Sequence, residues 1–224
     1  MQFTRALFIL MVSGLLLVAP LRAQEGIVPP VERGQFLKPD LIELVKLDRT
    51  LRLDIRYATS NNFLGKPVYT EARAFLQRLA ALALRRVNRK LRRKGYGLLI
   101  FDGYRPWSVT KIFWDATPEA KRAFVADPRQ GSRHNRGCAV DLTLFDIKTG
   151  QPLKMPSDYD DFSERAHPNY QGGTIAERHN RDTLRAAMEA EGFTVYENEW
   201  WHFDYKDWKR YAILNVSFRE VGRD

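Results

Sequence analysis

The chain has one cysteine, Cys138, in 224 residues. No intramolecular disulfide can form, so stability must come from packing and from any metal it binds. Histidine is also scarce, with four residues at 134, 167, 179 and 202. No low-complexity tract or internal repeat is present, which argues against disordered and solenoid classes. No apolar run reaches the roughly 20 residues of a membrane-spanning helix. The longest, Ala6 to Ala19, follows the positive charge of Arg5 and precedes Leu21-Arg-Ala23.

That arrangement reads as a secretory signal over residues 1–23, cut after the small Ala23. The other reading is an uncleaved N-terminal anchor; with no cysteine near the cut, a lipoprotein anchor is excluded. The expected product, residues 24–224, is exported to the periplasm or beyond and forms one domain. The whole chain's 44% hydrophobic content can supply a sizeable core. The formal charge of +9 falls to about +7 on cleavage, because Arg5 and Arg22 leave and no acid does.

Val28 to Pro39 reads as an extended arm, and Leu51 to Tyr57 alternates apolar and polar like a half-buried strand. A helix is expected from Glu71 to Lys94, with Thr70 as N-cap and Gly95 beyond its end. Leu76, Leu79, Ala83, Val87 and Leu91 mark its buried face. Seven Lys or Arg residues between Arg85 and Lys94 raise a nucleic-acid reading. The preferred one is that cations in the last turns complement the helix dipole, since no aromatics interleave with them to stack bases. No nucleic-acid partner is expected, although the charge suits an anionic cell envelope.

Tyr96 to Asp102 reads as a buried strand ended by Gly103-Tyr-Arg-Pro106. Short helices are expected over Trp107–Asp115 and Pro118–Ala126, the second with Pro118 at its first position. Cys138 to Phe145 reads as a strand. Periodicity then fails from Asp146 to Gly173, which is expected to be a covering loop. Thr174-x-x-Glu177 is a capping box opening a helix to Glu191. Phe193 to Tyr205 is strand-like, and Tyr211 to Phe218 is a possible last strand. The sum is an α+β domain, helices packed on a mainly antiparallel sheet.

Chemistry concentrates in two stretches. His134 and Asp141 lie seven apart in Gly131-Ser-Arg-His-Asn-Arg-Gly-Cys-Ala-Val-Asp141, and Glu199 and His202 lie three apart in Glu199-Trp-Trp-His202. Two imidazoles and a carboxylate suit a catalytic zinc with its fourth position open to water, and Glu199 could take that water's proton. Seven residues of unbroken strand would separate the first pair by roughly 23 Å and turn them to opposite faces. The chain must therefore double back, and Gly137 can take the positive φ required. A spacing of three on a regular strand also opposes Glu199 and His202, so a bend or bulge at Trp200-Trp201 is needed unless the segment is helical. His167, His179 and Cys138 are the competing ligands; His179 reads as a solvated helix residue and Cys138 as a small buried strand residue.

Ser132-x-His134-x-x-Gly137-x-Ala139-x-Asp141 followed by Glu199-Trp-Trp-His202 resembles the VanX-type zinc D-alanyl-D-alanine dipeptidases. That family is a branch of the DD-carboxypeptidase and hedgehog-like metallopeptidases. Tyr57-Ala-Thr, Asn61-Asn-Phe-Leu-Gly-Lys-Pro67, Asp102-Gly-Tyr-Arg-Pro106 and Asp160-Asp-Phe-Ser-Glu-Arg-Ala-His167 extend the resemblance over most of the chain. It implies a hedgehog/DD-peptidase-like fold, one zinc on His134, Asp141 and His202, and Glu199 as general base. Arg105 would stabilise the transition state. Ser132, Tyr57 and Asp160 would contact the substrate D-Ala-D-Ala, with Asp160 near its free amino group. A D,D-carboxypeptidase or endopeptidase on the same scaffold is the nearest alternative, and a non-catalytic zinc-containing module for wall peptides is the other.

Overall fold

The computed structural model describes residues 28–221; the expected leader at residues 1–23 lies outside them. Two sheets form. Strands β1 (Leu41–Glu43) and β3 (Phe75–Gln77) make a small antiparallel pair. The main sheet contains β2 (Arg52–Leu53), β4 (Tyr96–Asp102), β5 (Ala139–Asp146), β6 (Phe193–Tyr196) and β7 (Glu199–Tyr205), in the order β2-β4-β5-β7-β6. Only the β2–β4 pairing is parallel. With helices packed on a mainly antiparallel sheet, the domain is α+β, as the sequence implies.

Helices α2 (Arg78–Arg92) and α4 (Ile175–Glu189) cover one face of this sheet, α1 (Leu44–Leu47) packs on β1 and α2, and α3 (Trp107–Ala116) follows β4. Ala80, Ala83, Leu84, Val87 and Leu91 of α2 join Leu184 and Met188 of α4 in one core with Leu98, Ile100, Val140, Leu142, Leu144 and Phe203. Truncating one of these leucines to alanine costs about 2–5 kcal/mol. Because side chains alternate along a strand, Asp141 and Thr143 point away from these helices. A second cluster, Leu99, Phe101 and Phe145, lies on that other face, where the functional site is built.

Several sequence expectations need correction. The helix expected from Glu71 begins at Arg78, because residues 75–77 pair with β1 and are buried on both sides. Phe75 O also accepts Tyr104 N–H at 2.7 Å. Thr70 therefore caps nothing, and Leu79, assigned to the buried face, is 40% exposed. The strand expected over Leu51–Tyr57 is reduced to Arg52–Leu53, since a 3-10 turn at Arg56–Ala58 carries Tyr57 inward. The second short helix is a 3-10 helix, Glu119–Phe124, with Pro118 at its N-cap and not its first position. Tyr211–Phe218 forms no strand; Leu214 N–H bonds to Asn135 O and Val216 N–H to the Tyr104 hydroxyl. The Phe193–Tyr205 stretch is two strands.

The capping box and the long loop match expectation. The Thr174/Glu177 capping box is complete. The segment from 147 to 173 is irregular apart from a bridge at Pro152 and a 3-10 turn at Glu164–Ala166. Of the basic residues toward the end of α2, Arg86 and Lys90 both pair with Glu191. No helix among the described residues is long and apolar enough to cross a membrane.

Candidate active site

His134 and Asp141 meet because the chain reverses between them. His134 opens a 3-10 turn, His134–Arg136, which Gly137 ends with φ 66°. Gly137 N–H bonds to His134 O at 3.0 Å, and Cys138 N–H reaches back to Arg133 O at 3.0 Å. β5 starts two residues after Gly137 and brings Asp141 opposite His202 on β7.

The expected irregularity at Trp200-Trp201 is also present. Against β6, the register of β7 jumps from Val195↔Phe203 to Tyr196↔Glu199. Trp200, Trp201 and His202 consequently oppose no residue of β6, and Glu199 Oε2 comes within 3.6 Å of His202 Nδ1. A shift in β4 between Ile100 and Asp102 likewise sets Asp102 beside Asp141.

Three donor atoms converge. His134 Nε2 lies 3.3 Å from Asp141 Oδ1, His202 Nδ1 lies 3.1 Å from the same oxygen, and the two nitrogens are 3.1 Å apart. Each imidazole is oriented by its other nitrogen: His134 Nδ1 donates to Gly103 O at 2.7 Å and His202 Nε2 to Asp204 Oδ1 at 3.0 Å. The inward nitrogens of neutral rings are then lone pairs, facing each other and a carboxylate oxygen. Asp141 Oδ1 is buried and has no hydrogen-bond partner. A proton or a cation must sit among these atoms. Ligands about 2.0–2.1 Å from a tetrahedral ion stand about 3.3 Å from one another, so the spacing fits a metal. Among the described residues, these three form the group of such side chains able to hold an ion.

The competitors fall outside it. Cys138 is fully buried and burial pushes its thiol up to about 12, as expected of a small core residue. His179 is exposed on α4, and His167 faces Glu197 O.

A cavity of about 130 Å³ opens beside the cluster, lined also by Tyr57, Arg105, Ser132, Asp160 and Glu199. It is smaller than the several hundred Å³ of pockets for drug-sized ligands. Phe63, Phe113, Phe124 and Phe162 supply apolar wall. Phe124 and Phe162 stack at 5.1 Å, joining the 119–126 segment to the long loop, which thus covers the site.

Electrostatics set the charge states. Burial raises Glu199 to about 7; His202 opposes this and Asp141 adds to it. Burial also works against the Asp141 carboxylate, but His134 and His202 outweigh it and hold its pKa below the usual range. Burial depresses His202, yet Asp204 and Asp141 together push it well above its ordinary value. Asp160 is raised by burial, then by Asp141 and Glu199. Arg105 is buried, not a surface residue, and its Nε and one terminal nitrogen both donate to Asp102 Oδ2, at 2.9 and 2.8 Å. Ser132 Oγ accepts Asn135 N–H at 3.3 Å, and the Tyr57 hydroxyl donates to Asp160 at 3.0 Å.

Asp204 and Tyr159 escaped the sequence reading. Asp204 stands two residues from His202, so strand alternation puts both on one face, a usable signal. Tyr159 gives none, because it lies in an aperiodic loop.

A family model described as Peptidase_M15, D-ala-D-ala dipeptidase, matches residues 38–221. The D-alanyl-D-alanine dipeptidase of Escherichia coli (strain K12) is 34% identical over 179 residues, covering 80% of this chain and 91% of that one. Those of Enterococcus faecalis (strain ATCC 700802 / V583) and Enterococcus faecium are 39% and 36% identical over 178 residues, each covering 70% of this chain and 87% of its own. The chain belongs to the D-ala-D-ala dipeptidase family, Peptidase_M15, and is with it a hydrolytic metallopeptidase.

Proposed function

We propose that the chain is an exported zinc dipeptidase that splits D-Ala-D-Ala into two D-alanines during peptidoglycan turnover. The observation that carries this reading is the convergence of His134 Nε2, Asp141 Oδ1 and His202 Nδ1 beside Glu199 in a small cavity. Support for the substrate comes from relatives named for that dipeptide.

Two imidazole nitrogens and one carboxylate oxygen suit zinc, with room for a fourth ligand from solvent. When bound, the ion supplies Lewis acidity and makes an attacking water acidic enough to lose its proton near neutral pH. Glu199 accepts that proton on its carboxylate and returns one to the leaving amine, a pair of tasks suited to a pKa near neutrality. Asp102 holds two N–H groups of Arg105, which leaves the rest of the guanidinium to meet negative charge developing on the scissile carbonyl. Asp160 receives the dipeptide's ammonium, which restores the carboxylate that burial disfavours. Tyr57 orients Asp160, and Ser132 contacts the substrate. The loop from 147 to 173 over the cavity, with Asp160 at the dipeptide's ammonium, would favour a dipeptide over a long peptide.

The test is hydrolysis of D-Ala-D-Ala, L-Ala-L-Ala and a D-Ala-ending pentapeptide, with and without chelator. D-Ala-D-Ala should be cleaved fastest, and chelation should stop turnover until zinc is returned. Equal trimming of the pentapeptide would replace the dipeptidase reading with a carboxypeptidase. For export, the protein recovered from the envelope fraction should begin at Gln24; a retained Met1 would mean an anchor.

A further inference from the structure

Tyr159 links the two halves of the site. Its hydroxyl lies 2.9 Å from Asp141 Oδ2 and 3.1 Å from the Tyr57 hydroxyl, which lies 3.0 and 3.1 Å from the oxygens of Asp160. The ring is fixed as well: it stacks on Phe101 at 4.6 Å and meets Trp201 edge-on at 5.5 Å.

Asp141 has two oxygens with different surroundings. Oδ1 faces the imidazole nitrogens without a hydrogen-bond partner, while Oδ2 receives the Tyr159 proton and stands 3.7 Å from Arg105. The terminal torsion of aspartate is soft and roughly two-fold. A donor fixed on one oxygen therefore decides which one is left for the ion.

The neighbouring Asp160 has φ 60°, in the left-handed region that non-glycine residues rarely enter. Such a conformation persists only where the surroundings over-determine it. Here the preceding residue is held by ring stacking and by its hydroxyl, and the Asp160 carboxylate is turned onto Tyr57.

We propose that Tyr159 is a positioning residue. It aims Asp141 Oδ1 at the metal position and fixes the distance from there to Asp160, so that the site measures the span from scissile carbonyl to free ammonium. The metal half stands on donor geometry alone; the measuring half rests on the dipeptidase reading.

Tyr159→Phe removes the hydroxyl and keeps the ring. Zinc affinity, read by chelator competition, should fall about tenfold, the lower end of what partners behind metal ligands contribute. KM for D-Ala-D-Ala should rise more than kcat falls, and its preference over β-alanyl-D-alanine should narrow. The metal-free melting temperature should stay within about two degrees of the parent's, a change of under about 1 kcal/mol. Tyr57→Phe removes the hydroxyl between Tyr159 and Asp160 but leaves the Tyr159 hydroxyl on Asp141 Oδ2, so it should raise KM and leave zinc affinity within about twofold, a change under about 0.5 kcal/mol. Unchanged zinc affinity in Tyr159→Phe overturns the metal half, as does equal weakening in Tyr57→Phe. An unchanged preference between the two dipeptides overturns the measuring half. If the parent protein failed to cleave D-Ala-D-Ala, the dipeptidase reading would fall, and the zinc arm would still decide what Tyr159 does to Asp141.

Discussion

His134 Nε2 and His202 Nδ1 face each other at 3.1 Å, each imidazole turned inward by a hydrogen bond on its other nitrogen. With Asp141 Oδ1 they enclose a point that must carry positive charge. Without metal a proton can serve, and against burial Asp204, then Asp141, push His202 above its ordinary pKa. A divalent ion must displace that proton, so zinc should bind more tightly as pH rises and release protons on binding. At free zinc a thousandfold above Kd the ion should add about 4 kcal/mol of stability. For a domain of this length that is a rise of about 10 °C in Tm. A melting curve indifferent to both chelator and added zinc would remove the cluster as a metal centre.

Asp204 is the carboxylate behind His202, with Arg133 Nε 3.4 Å from its other oxygen. It selects the tautomer that leaves Nδ1 free for the ion and raises the basicity of the ring. Asp204→Ala should weaken zinc binding by about 10–100-fold. Chelator competition measures this directly, and an affinity within twofold of the parent would mean that His202 is oriented by packing alone.

The candidate metal cluster was more legible in the sequence than the packing that supports it. Gly137 and the Glu199-to-His202 spacing could be reasoned about because strand geometry forbids the required contacts unless the chain bends. The capping box at Thr174 was legible for a similar reason, since it is local chemistry. Phe75–Gln77 was not: its apolar positions continue the helical spacing of α2, and only the distant partners Leu41–Glu43 and Tyr104 make it a strand. Arg105, Ser132, Tyr57 and Asp160 came from the family resemblance, since nothing in their spacing joins them. Tyr159 reaches Asp141 through the fold of an aperiodic loop, which leaves no periodic trace.

Glu199 should give the reaction its acid limb. Its pKa is raised to about 7 by burial, and a base works only when deprotonated, so kcat/KM should climb as pH rises toward neutrality. A bound cation nearby favours the carboxylate, which moves the midpoint to 7 or below. Glu199→Gln should keep zinc and lose about 10²–10⁴-fold in kcat, together with that limb. A Gln variant with the parent's rate and pH profile would assign the limb to another group.

Gly137 is where the fold meets the metal cluster most directly. Its φ of 66° is in the left-handed region, and a Cβ there would stand 2.5 Å from Leu41 Cδ2. Gly95 has φ 87° with nothing within 4 Å of the same position, so it carries the conformational cost without the clash. Gly95→Ala should therefore lose about 1 kcal/mol, and Gly137→Ala about 1–3 kcal/mol because the Leu41 side chain must also move. Only the second should weaken zinc, because displacing the turn moves His134 relative to Asp141. Urea denaturation gives the stabilities and chelator competition the affinities. Equal zinc binding in the two variants would show that the reversal at Gly137 tolerates movement without losing the ion.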